Sequence, residues 1–178
     1  MSTPTRTDPT PNSEAALRAA KRPRTILAGP YGHPFHALLV TIPIGAWTAS
    51  LVFDIAGAVT GDWEVFATAA QWLIAIGIVG AVLAAVVGLL DYTKLTPQTK
   101  ARRMATFHML INLTVVVLFA IGWMLRAATP GEPSTGGIVL SVVALLGLGV
   151  SGFLGGELAY RYGVRVADEE TQRAGYEP

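Results

Sequence analysis

Four long apolar runs alternate with short polar links along this chain. They cover roughly residues 35–59, 65–90, 105–125 and 137–158. Each is close to the ~20 residues that cross ~30 Å of hydrocarbon. None shows the alternation of a membrane barrel strand, and a helix is the open-chain structure that pairs every backbone group in lipid. The pattern predicts an all-α integral membrane protein, a four-helix bundle running up-down-up-down. Residues 1–30 read as a flexible basic tail, 31–166 as the transmembrane domain and 167–178 as a second flexible tail.

Charge sharpens this picture. Only 14% of the 178 residues are charged, against about 25% in soluble domains. Arg6, Arg18, Lys21, Arg22 and Arg24 precede the first run, Lys94, Lys100, Arg102 and Arg103 follow the second, and Arg161, Arg165 and Arg173 follow the fourth. The two opposite links hold only Arg126. By the positive-inside rule both termini are expected in the cytoplasm of a bacterial inner membrane, with the chain multi-pass. Tyr31, Tyr92, Tyr160 and Tyr162 then fall at the cytoplasmic ends, and Trp63, Trp72 and Trp123 at the outer ends. The first thirty residues lack the apolar core of a signal peptide. There is no cysteine, which excludes disulfides, thiolate-held clusters and thiol nucleophiles.

Small residues recur at helical spacing: Gly80, Ala84 and Gly88 with Gly77, Ala81 and Ala85 in the second run, and Gly149, Gly152 and Gly156 in the fourth. Such stripes predict close helix packing. No internal repeat is visible in the residues, which counts against a transporter.

Polar groups inside spans mark function by default. Here they are His36, Asp54, Asp91, His108, Asn112 and Glu157. His36 and His108 open the first and third runs, so they are expected at matched depth on two helices, the arrangement a bis-imidazole site requires. The ligand could be haem iron, or a transition metal such as zinc or copper. His36, Val40, Pro43, Trp47, Ser50 and Asp54 share one helix face. Asn112 lies one turn from His108. Pro43 predicts a kink near the site. His33 reads as a capping or interfacial residue able to substitute for His36. A solvated helix end is the first reading of Asp54, with a proton or metal site second. Glu157 is expected to pair with Arg102, Arg103 or Arg161.

Gly32-His33-Pro34-Phe35-His36-Ala37-Leu38-Leu39-Val40-Thr41-Ile42-Pro43-Ile44-Gly45 resembles the opening signature of a bacterial "domain of unknown function" family of four-helix membrane proteins. Gly88–Tyr92, Phe107–Asn112 and Gly152–Val164 fit the same pattern, so the resemblance spans about residues 31–166. It implies traffic with electron transfer, since relatives can be joined to cytochrome c or Rieske domains. His33, His36 and His108 match the family's histidine positions.

The first functional expectation is therefore a haem b protein that passes electrons to a membrane or redox partner. His36 and His108 would be its ligands, Asn112 would orient His108, Arg102 or Arg103 would meet the propionates, and Gly80, Gly88 or Gly152 would make room for the macrocycle. The second is a cofactor-free accessory or scaffold subunit. A metal-handling transporter is third, and an enzyme is not expected because no nucleophile–base pair stands out. The lipid bilayer is the one partner the composition demands. Nucleic acid is not expected, and a homo-oligomer is compatible with the chain.

Overall fold

The computed structural model describes residues 11–30 and 32–177. Arg6 and Tyr31, read above from the sequence, lie outside the described residues. A short helix, α1 (Pro11–Lys21), carries Glu14 in its first turn and Arg18 and Lys21 in its last, the polarity that the helix dipole favours. It lies within the stretch read as a flexible tail. A 3-10 turn at Ile26–Ala28 follows.

The first apolar run is broken into α2 (Phe35–Leu39) and α3 (Thr41–Thr60). The cause is Pro43, whose missing N–H leaves the Leu39 carbonyl without its helical donor. The Thr41 hydroxyl donates to the Leu38 carbonyl at 2.7 Å and covers the break. Gly61, left-handed at φ 79°, ends α3. Next come α4 (Trp63–Tyr92), α5 (Lys100–Ala127) and α6 (Thr135–Gly156). Thr99 and Ser134 cap α5 and α6, accepting from the Arg102 and Gly137 amides, the usual way to satisfy free N–H groups at a helix start. A single π turn at Glu157–Arg161 extends α6, and α7 (Glu169–Ala174) closes the described chain. The four candidate spans contain 26, 30, 28 and 27 residues, enough for ~30 Å of hydrocarbon with some tilt.

The bundle consists of two helical hairpins. The break-and-helix α2/α3 packs along α4, and α5 packs along α6; α4 meets α5 and α3 meets α6 less extensively. Three residue pairs with one sequence offset meet across the bundle. Asp54 and Arg126, 72 residues apart, form an ion pair. His36 and His108 have the same offset, and their rings lie 6.3 Å apart at 82°. Trp47 and Phe119 have it too, stacked at 4.2 Å. So α3 (with α2) and α5 face each other diagonally through three matched tiers: imidazoles at one end, aromatics in the middle and an ion pair at the other end.

Each tier is built by small residues on the neighbouring helix. A Cβ at Gly77 would strike the Trp47 indole, one at Gly80 would meet Ile42 and Pro43, and one at Gly137 would strike the Arg126 guanidinium. Trp47 Nε1 donates to the Ile74 carbonyl at 3.2 Å. Trp47, Ile74, Val115, Phe119 and Ala144 form the central core. Gly77, Gly80, Ala84 and Gly88 of the stripe read in the second run thus pack as expected, whereas Ala85 is exposed. That in the fourth run does not: a Cβ at Gly149, Gly152 or Gly156 would meet nothing. The face of α6 that is buried is Gly137, Ser141, Ala144 and Ser151 instead.

Candidate functional site

At the end of the bundle that carries both chain ends, His36 and His108 are held in the same way. His36 Nδ1 lies 2.9 Å from the Ala84 carbonyl on α4. His108 Nδ1 lies 2.9 Å from the Ser151 carbonyl on α6. Ala84 and Ser151 are 67 residues apart, as are Gly88 and Gly155 one turn further along. A Cβ on Gly88 would approach His36 Nδ1 to 2.8 Å, and one on Gly155 would approach His108 Cε1 to 3.2 Å. Each imidazole therefore rests on a glycine and is tied to the helix beside it.

The Ala84 carbonyl can only accept, so His36 Nδ1 carries a proton, whereas His108 Nδ1 also lies 2.9 Å from the Ser151 hydroxyl and can donate to the carbonyl or accept from that hydroxyl. Asn112 Nδ2 reaches three acceptors: the Ser151 hydroxyl at 2.6 Å, the His108 carbonyl at 2.8 Å and His108 Nε2 at 3.2 Å. An amide nitrogen has two protons. The two shorter bonds use them, which leaves His108 Nε2 the weakest of the three contacts. The two ring centres lie 6.3 Å apart with their planes at 82°. Among the described residues, no three or more His, Cys, Asp or Glu side chains group as a metal cage.

The structure does not bring the other expected residues to this pair. His33 is exposed. Arg102 caps the end of α4, donating to the Tyr92 and Leu95 carbonyls at 2.7 and 3.1 Å and lying 3.6 Å over the Tyr92 ring. Arg103 is exposed. Gly88 makes room for the His36 imidazole and Gly80 for Pro43, so neither opens a slot for a macrocycle, and Gly152 has no neighbour. Glu157 pairs with Arg161 at 3.0 Å, one of its expected partners.

Two buried ion pairs were not legible as pairs. Asp54 is no solvated helix end: it meets Arg126 at 2.5 Å, with Ser141 at 3.5 Å from the same guanidinium nitrogen. Arg126, the lone basic residue on its side, is Asp54's counter-charge. Asp91, at the end of α4, lies 2.9 Å from Arg165 Nε and within electrostatic reach of His36. Arg165 also donates to the Ala28 and Gly29 carbonyls at 2.8 and 3.2 Å. It is a non-glycine residue with φ 59°, the conformation that aims it inward from the chain following α6. Beside it Lys21 donates to Glu169 at 2.9 Å, and this bond holds the exposed Glu169 carboxyl below its ordinary value.

Residues 32–168 match the sequence pattern of a family described as predicted membrane protein (DUF2231). The chain belongs to this family. The DUF2231 match runs from Gly32, just before the first histidine, to Asp168, and so takes in all four spans and the Arg165 pairing. No curated protein and no solved structure matches the chain.

Proposed function

We propose that this membrane protein holds one haem b between its two hairpins through His36 and His108 and acts in electron transfer. The observation that carries the reading is the pair itself: two imidazoles on two hairpins, each with Nδ1 2.9 Å from a main-chain carbonyl and with ring centres 6.3 Å apart. Hydrogen bonding of the second ring nitrogen is how proteins orient metal-binding histidines. Without a third protein ligand among the described residues, His36 and His108 would suit a metal whose other donors come with its cofactor, as in haem. The haem would supply one-electron chemistry. The chain's part is to fix both imidazoles, exclude other donors and, through Asn112 and Ser151, set the basicity of His108. By the positive-inside rule this end of the bundle faces the cytoplasm.

A second reading is favoured by the same bonds. His36 and His108 each cross-link two helices, and buried interhelical hydrogen bonds of this kind serve packing in lipid. On that reading the protein is a cofactor-free accessory subunit.

Haem and metal content per chain separates the two. After expression with haem and metals supplied, the first reading expects about one haem per wild-type chain, and none in His36→Ala or His108→Ala protein that still inserts. Wild-type protein free of haem would leave the scaffold reading.

A further inference from the structure

Just before the first span, the 3-10 turn presents Ile26 and Leu27 outward, 82% and 70% exposed, while Ala28 is fully buried. The turn is held from behind. Arg165 binds the Ala28 and Gly29 carbonyls, and Arg24 reaches the Thr93 hydroxyl, just past the end of α4, at 3.4 Å. A Cβ at Gly29 would strike the His33 carbonyl, and Gly29 itself has φ 88°, so only glycine permits the chain to turn back here. The two aliphatic side chains are thus fixed in an outward position at the level where a spanning helix ends. The turn packs on α2 and α4, helices whose Leu38 and Leu89 are themselves exposed to the surroundings of the bundle. Arg22 and Arg24 flank it and are exposed.

We propose that the Ile26–Leu27 turn is an interfacial anchor seated in an anionic phospholipid leaflet. Its aliphatic tip would enter the boundary between headgroups and acyl chains, with Arg22 and Arg24 against the phosphates. Aliphatic tips with basic flanks are the composition of segments that bind at this depth. Lipid is the occupant because the apolar surface continues that of the spans and the flanking charge is positive. The anchor stands independently of whether the histidines hold haem.

The chain has no cysteine, so a single Ile26→Cys carries one environment-sensitive label in the full-length protein. Gln172→Cys, at an exposed position on α7, is the reference. In vesicles of phosphatidylcholine with phosphatidylglycerol, the label at 26 should emit to the blue of the reference. Lipid-borne nitroxide should quench it severalfold more than the reference, and aqueous iodide less. Arg22→Gln with Arg24→Gln should reduce that difference, as should phosphatidylcholine alone. Emission and quenching at 26 equal to the reference in both vesicles would overturn the anchor. Equal immersion in both vesicles, unchanged by the arginine substitutions, would overturn its preference for anionic lipid.

Discussion

Replacing Asp54 with leucine isolates the tier farthest from the histidines. Both partners of the pair are almost wholly buried, with side chains 4% and 3% exposed. Removing the carboxylate leaves the Arg126 guanidinium with Ser141 at 3.5 Å as its remaining side-chain partner, and its Nη1 has no partner to begin with. A guanidinium cannot shed its proton to escape burial. Breaking a buried pair from one side costs about 3–5 kcal/mol, and the poor fallback here puts Asp54→Leu near the upper end. The reverse substitution behaves differently. In Arg126→Leu the stranded carboxyl can take up a proton and become neutral, so this variant should lose less stability than Asp54→Leu, and its loss should shrink at low pH. The double variant, an apolar pair in place of the ionic one, should return to within about 1 kcal/mol of wild type, because a well-packed apolar replacement is often neutral or better. Unfolding in a denaturing detergent series, followed by helical circular dichroism, measures all three. The reasoning fails if Asp54→Leu unfolds within about 1 kcal/mol of wild type, or if Arg126→Leu proves the costlier change.

The remaining predictions concern the other end of the bundle. Gly88→Ala should displace His36 and lower bound haem more than Gly155→Ala lowers it, since the new methyl would lie 2.8 Å from one imidazole and 3.2 Å from the other; haem content of the two purified variants checks the order. The Lys21–Glu169 bond should make the C-terminal segment pH-sensitive. A carboxyl whose value is lowered on folding contributes stability above its unfolded value and loses it as pH falls through the lower folded value. Proteolysis between α6 and α7 should therefore speed up on acidification through that range in wild-type protein, and Glu169→Gln should abolish the pH dependence.

Much of the architecture could be read from apolar run length alone. The four spans in the structure begin and end within a few residues of those runs, because lipid admits few alternatives for an unpaired backbone. The face shared by Pro43, Trp47, Ser50 and Asp54 is also correct in kind, since all four lie on the one helix α3 and are buried, while His36 lies on α2 before the break and still turns to His108. What the sequence concealed was which helix each face meets. Arg126 looked like an exception to a charge rule because its partner lies 72 residues away. The glycines of α6 at 149, 152 and 156 made a regular small-residue stripe, yet the helix turns Ser141, Ala144 and Ser151 inward, where two serines hold polar partners. Asp91 and Arg165 met through a backbone turn at φ 59° that no periodicity announces.

The most direct test of the paired-histidine account is the visible absorption spectrum of the purified wild-type protein, oxidised and then reduced with dithionite. The account predicts a sharp Soret band with resolved α and β bands on reduction, the signature of haem iron held by two strong axial ligands, absent from His36→Ala and His108→Ala. A featureless spectrum after expression with haem supplied, or bands that persist unchanged in both alanine variants, would contradict it.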